Sequence, residues 1–217
     1  MSFDLNLYVQ YGPSLMAGLG FTVYVCTTAA LIGIGLGMVV AILQSLRISL
    51  VRWLCRGYIE VIRGTPILVQ LFIIYFGGPS FGLVLDAETV GIWGLGVYCG
   101  AYFAEVFRAG FESIPKGQTE AARLVGLSSA RIIFRIKLPQ MLILIIPPSI
   151  NTLIMIIKES AILSIITVPE VTKITIQMVN ETFAVFEPYI ALALLYWIII
   201  EILSRVGRAI ETRISYL

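Results

Sequence analysis

Between Asp4 and Arg47 the chain holds no charged residue. About 20 apolar residues cross a membrane's hydrocarbon core as a helix, so this run exceeds what one span needs. Tyr11-Gly12-Pro13-Ser14 interrupts it, and Ser14 can serve as a helix N-cap. The pattern predicts an interfacial segment and then a first span at about 15–43. A secretory signal opens on positive charge and the first basic residue is Arg47, so the segment is expected to stay as a span. Four more apolar stretches lie at about 57–77, 89–111, 139–167 and 186–206. The expected protein is all-α and membrane-embedded, a single transmembrane domain over 1–217. Its five spans put the two termini on opposite sides.

Composition agrees with that pattern. Of the 217 residues 59% are hydrophobic and only 13% charged, with a mean hydropathy of +0.95. A soluble domain carries about 25% charged residues, so a soluble enzyme is not expected. The net charge of +2 gives no pull on nucleic acid. Where the charges fall is more informative. Arg47, Arg52 and Arg56 follow the first span, and Lys116, Arg123, Arg131, Arg135 and Lys137 follow the third. Arg205, Arg208 and Arg213 follow the fifth, while the remaining connections and the N-terminus hold Lys173 as their one basic residue. Positive charge stays on the cytoplasmic side, so the N-terminus is expected outside and the C-terminus and the 112–138 connection in the cytoplasm. Cys26, Cys55 and Cys99 are too scattered for a zinc site or a disulfide framework, and there is no histidine. The glycines of Gly33-Ile-Gly35-Leu-Gly37 and Gly91-Ile-Trp-Gly94-Leu-Gly96 lack the strand and polar approach of a dinucleotide loop and read as close helix packing. No P-loop sequence occurs, so ATP is not bound that way.

The 112–138 connection is too long for a simple tie. Thr119 can cap a short helix from Glu120 to about Val125, Gly126 supplies a left-handed stop, and Ser128 can cap a second helix. The second helix, with Ile132, Ile133 and Ile136 beside Arg131 and Arg135, suits a membrane surface. The first has adjacent small residues, Ala121 and Ala122, that let another protein approach its backbone; an amphipathic connector touching only headgroups is the alternative.

Glu120-Ala121-Ala122, Gly126, Ile136 and Leu138-Pro139 resemble the EAA loop of ABC importer permeases. Seven such positions coincide by chance on the order of once in a million chains. Glu60-Val-Ile-Arg63-Gly64-Thr65-Pro66-Ile-Leu-Val-Gln70 is similar to permeases of polar amino acid importers such as those for histidine, glutamine and arginine. So are Tyr102-Phe-Ala-Glu105-Val-Phe-Arg108-Ala-Gly110, Lys158-Glu159-Ser160 and Phe186-Glu187-Pro188-Tyr189. The resemblance runs from about Ser14 to Arg213. It implies a type I ABC importer permease in a bacterial inner membrane, paired with a second permease chain. Two cytoplasmic ATPase subunits, which hold ATP and magnesium, and an extracytoplasmic amino-acid-binding protein complete the assembly. This chain itself would hold no cofactor and perform no catalysis. The resemblance assigns coupling to Glu120, Ala121, Ala122, Arg123, Leu124, Gly126 and Leu127.

Charges within spans are costly and point to function. Glu60 with Arg63, and Glu105 with Arg108, can pair along one helix face or across to each other, as structural pairs or inner-gate elements. Glu201 and Arg205 read as structural. Pro147-Pro148 should kink or break the long fourth span and return Lys158 and Glu159 to membrane depth, where broken transporter helices bind polar solutes. Alternatively Lys158 snorkels outward and Glu159 pairs with Lys173. Ser160, Thr65, Gln70, Ser149 and Asn151 extend the candidate site, Gln70 and Asn151 through an expected shared depth. Two rival functions remain: a channel or secondary transporter working without ATP, and a non-transporting scaffold.

Overall fold

The first helix runs straight through Pro13. In the computed structural model, which describes residues 4–46 and 48–214, α1 spans Asn6–Ser45. The expected interfacial segment and the Ser14 cap do not form. Proline removes only its own N–H, and the carbonyl left unpaired belongs to Val9, which is exposed. Arg47 lies outside the described residues.

The second apolar stretch departs further from expectation. α2 (Ser49–Gly64) and α3 (Ile67–Phe72) meet at 103°, so 57–77 is not one straight span. Thr65 precedes proline and is extended at φ −121° and ψ 143°, because the Pro66 ring crowds a helical residue before it. α3 continues as a π-helical turn, Ile73–Gly77, and a 3-10 turn, Gly78–Phe81.

α4 (Ala87–Glu112) is the central helix, with Val90, Leu95, Cys99, Phe103 and Phe107 in the core. The basic connection forms α5 (Lys116–Leu124), α6 (Ser129–Ile132) and a π-helical turn, Ile133–Lys137. α5 begins after Pro115, so Thr119 lies inside it instead of capping it. Ser128 stands at the N-cap of α6 without a side-chain capping bond. α7 (Leu138–Glu159) passes unbroken through Pro147 and Pro148 and becomes a 3-10 helix over Ser160–Ile166. Each proline subtracts one donor, and an apolar segment has no better way than a helix to satisfy its remaining backbone in a membrane. The change of helix type therefore follows Lys158-Glu159 directly instead of falling at the prolines. α8 (Val171–Thr182) and α9 (Phe186–Ile214) complete the chain.

Among the described residues all regular structure is helical. Among the described residues four stretches are long and apolar enough to cross a membrane, or five where the bent α2–α3 pair counts as one span. Gly33 and Gly37 of α1 press on Cys99, Gly100 and Phe103 of α4, and Gly96 of α4 meets Ile32. This is the close packing that the glycine spacing predicts. All three cysteines are buried and free.

Candidate functional site

α4 serves as a ruler of depth for its neighbours. Gly94 touches Leu71 of α3, Gly110 touches Met141 and Ile145 of α7, and Gly91 touches Leu163 beyond α7. α7 therefore runs antiparallel to α4. At about 1.5 Å per residue, Lys158 and Glu159 come level with Gln70 near Leu95, while Asn151 lies about 11 Å closer to the Glu112 end. The expected shared depth of Gln70 and Asn151 is not observed, because α3 starts deep in the bundle at the Thr65–Pro66 break.

The candidate residues divide by what they touch. The Gln70 amide Nε2 donates to the carbonyls of Ile62 and Thr65, at 2.9 and 3.1 Å, and to the Thr65 hydroxyl at 2.8 Å. Thr65 in turn donates to the Val61 carbonyl. Together they bind the Val61 and Ile62 carbonyls, left open where Thr65 turns extended and Pro66 has no N–H, so both fasten the α2–α3 break. Ser160 is fully buried, donating to the Ile157 carbonyl at 2.8 Å. Ser149 is half-buried and Asn151 exposed, and neither side chain is hydrogen-bonded among the described residues. Lys158 is exposed and Glu159 half-buried, and no described ion pair joins Glu159 to Lys173.

A polar column runs along α4 from Tyr98 to Glu112. The Tyr98 hydroxyl lies within electrostatic reach of both Glu159 and Arg63. Tyr98 and Tyr102 share a hydrogen bond of 3.1 Å, and the Arg63 guanidinium sits 4.9 Å above the Tyr102 ring. Arg63 approaches Glu105 at 3.9 Å, linking α2 to α4 as one of the expected cross-pairs. Arg108 grips Glu105 through two bonds, 3.0 and 2.7 Å, and Glu112 at 2.6 Å. No site role follows from the sequence for Tyr98 or for Tyr102, which only opens a family-like block there, although positions 98, 102 and 105 share one helix face by their spacing. Carboxylate, phenol and guanidinium in sequence suit a polar solute bearing both charges. Glu201 pairs with Arg205 at 2.7 Å, as its spacing predicts.

Beyond the end of α7 a second polar group is fully enclosed. Glu170 caps α8 by accepting from the backbone N–H of Thr172 and Lys173, both at 2.8 Å, and from the Tyr196 hydroxyl at 3.2 Å. Burial pushes its carboxyl above the ordinary value of 4.5, against the lowering effect of those donors. The folded state thus holds this proton to higher pH than the unfolded chain does, and its contribution to stability falls as pH rises through that window. The melting temperature of the wild type, relative to Glu170→Gln, is expected to rise as pH drops from neutral toward the ordinary carboxylate range. Parallel melting curves across that range would contradict the assignment.

At the other end of the bundle α5 stands out from the helical body, with Leu124 89% and Val125 78% exposed. Gly126, at φ +80°, closes it: its N–H donates to the Arg123 carbonyl at 2.9 Å and that of Leu127 to Ala122 at 3.0 Å. These are the two bonds of a Schellman stop. Ala122 packs inward, whereas Glu120, Ala121, Arg123 and Leu124 face outward. A cavity of about 950 Å³ lies between the ends of α1 and α4, α2 and residues 133–138.

Comparison with known proteins gives concordant matches. Residues 33–216 match the family described as binding-protein-dependent transport system inner membrane component. The arginine transport system permease protein ArtQ of Bacillus subtilis (strain 168) is 33% identical over 99% of this chain and 99% of its own length. The L-cystine transport system permease protein TcyB of the same organism is 34% identical over 95% of this chain and 88% of its own. A crystal structure of an amino acid ABC transporter with histidines superposes on 98% of this chain and 100% of the solved one, with a TM-score of 0.93 and 36% identity. The inward-facing MetNI methionine ABC transporter shares the fold, with a TM-score of 0.73 at 19% identity.

Proposed function

The chain belongs to the family of binding-protein-dependent transport system inner membrane components, and from that premise we propose that it is half of the translocation pathway of an ATP-driven importer for a polar amino acid. The observation that carries this reading is the pairing of an exposed, glycine-terminated α5 with a polar column along α4 from Tyr98 to Glu112. α5 is the coupling helix. Its outward Glu120, Ala121, Arg123 and Leu124 dock in a groove of a cytoplasmic ATPase, one of two in the complex, which supplies ATP and magnesium. Gly126 and Leu127 hold the helix at its angle. A second permease chain, identical or similar, completes the pathway, and an extracytoplasmic binding protein delivers the solute near Glu159.

The basic connections support an orientation with α5 and the C-terminus in the cytoplasm and the N-terminus outside. ATP closes the ATPase pair, α5 follows, and the spans exchange an inward for an outward opening. This chain needs no covalent chemistry for that cycle. A channel or secondary transporter would have no use for an exposed Leu124-Val125 tip at the end of a short helix.

Copurification from native membrane in mild detergent tests the assembly. An ATPase subunit that is lost when Glu120–Ala122 are replaced is the expected result. A chain that emerges alone and transports in vesicles without ATP would overturn the proposal. For the pathway, Glu159→Gln is expected to lower ATP-driven uptake about ten- to hundredfold, the weight of a hydrogen bond to a charged group. ATPase copurification should be unchanged. Undiminished uptake would remove Glu159 from the pathway.

A further inference from the structure

The charges around the 950 Å³ cavity are not evenly matched. At its inner end, Arg63 and Arg108 are neutralised by Glu105 and Glu112. At its outer end, Arg52 and Arg56 lie one turn apart on α2 and face the same space as Lys137. None of these three forms an ion pair among the described residues. Glu60 is the one carboxylate on the same stretch of α2, and it too is unpaired. Gln44, near the end of α1, lines the same space, and its Oε1 is buried without a hydrogen-bond partner. An excess of cations calls for an anion, and an orphaned acceptor calls for a hydroxyl or N–H donor.

The walls specify the rest of the ligand. Met38, Ile42, Phe134 and Leu138 make much of the lining apolar. Leu31, Ile34, Val39 and Ile42 continue an exposed apolar flank along α1. Inorganic phosphate would leave both the apolar wall and the flank uncovered. We infer that this cavity holds the headgroup of an anionic phospholipid of the phosphatidylglycerol type. Its phosphate lies against Arg52, Arg56 and Lys137, a glycerol hydroxyl donates to Gln44, and its acyl chains follow the flank of α1. The inference rests on the orientation proposed above, which sets the basic end in the cytoplasmic leaflet. There the lipid would brace α2 against the segment that carries α5 into α7.

The test uses the assembled transporter in nanodiscs of mixed phosphatidylcholine and phosphatidylglycerol, with retained lipid counted by native mass spectrometry after release. The wild type is expected to keep phosphatidylglycerol in preference to phosphatidylcholine. Arg52→Gln combined with Arg56→Gln should lower that retention about thirtyfold, the joint weight of two cations on an anionic headgroup. Lys173→Gln, outside the cavity on α8, should leave it unchanged. Equal retention of the two lipids by the wild type would overturn the inference, as would undiminished retention in the double variant. Displacement by inorganic phosphate as effectively as by phosphatidylglycerol vesicles would make this a free-anion site and overturn it too. If the double variant does not fold, wild-type selectivity and Lys137→Gln decide. The readout involves no transport, so failed ATP-driven uptake would count against the importer reading alone.

Discussion

Gly126→Val is expected to insert, fold and pair normally while losing ATP-driven uptake. At φ +80° the Gly126 backbone occupies the left-handed region, which costs a residue with a Cβ about 1–2 kcal/mol and a β-branched one more. A Cβ at this position would meet nothing within 4 Å, so the penalty is conformational and not a clash. The chain can avoid it by giving up the two bonds that end α5, Gly126 N–H to Arg123 and Leu127 N–H to Ala122. The freed carbonyls are at the exposed end of a short helix, where water replaces the lost donors, so the spans keep their stability. What is lost is the fixed angle between α5 and the segment leading into α7. That angle is what a coupling helix needs if a movement of the ATPase is to reach the membrane. Uptake in proteoliposomes, read beside ATPase copurification, checks this. Gly126→Asn, which tolerates the left-handed region, should fall between glycine and valine. Wild-type uptake in the valine variant would remove the role given to this stop.

The sequence carried the Gly126 stop because it is a local event: one residue type, one backbone conformation, helical residues on either side. The i,i+3 pair Glu105–Arg108 and the glycine seam of α1 were legible for the same reason. The break at Thr65–Pro66 had a local signal as well, a residue before proline, yet hydropathy averaged over 57–77 runs smoothly across it. A smooth hydropathy average shows Gln70 only as a polar residue within a span, and its bonds across the break to Ile62 and Thr65 come from the three-dimensional structure. Pro147-Pro148 misled in the opposite direction, since a proline subtracts a donor without obliging a helix to end. α8 has a weak local signal because its cap is Glu170, a residue type that favours N-caps less than aspartate or serine, preceded by a proline that reads as a loop. The column of Tyr98 and Tyr102 escaped because a tyrosine in a span counts as apolar, and only the third dimension brings Glu159 and Arg63 to it.

Gly37→Leu is expected to prevent the fold altogether, and Gly35→Leu two residues away to be tolerated. A Cβ on Gly37 would stand 2.6 Å from the Cβ of Phe103, 2.9 Å from the backbone N of Ala104 and 3.0 Å from the carbonyl of Gly100. Two of those three atoms are backbone of α4, so no rotamer change relieves the contact and the helices themselves must separate. Overpacking costs typically 1–3 kcal/mol where side chains can yield, and here they cannot. Separation would also loosen the contact one turn away, where Gly33 meets Cys99 and the backbone of Gly100. Lipid offers no hydrophobic force to draw the pair back together, because the bilayer solvates apolar surface as well as a helix does. α4 is also the helix that carries Tyr98, Tyr102, Glu105 and Arg108, so the polar column would lose its register with Arg63 and Glu159. A Cβ on Gly35, by contrast, would meet nothing within 4 Å, and leucine there only adds apolar surface to an exposed face. The yield of monodisperse protein after detergent extraction separates the two outcomes: none for Gly37→Leu, wild-type levels for Gly35→Leu. Equal yields would mean that α1 and α4 are free to move apart without consequence, and that the packing seam is not what holds the column in line.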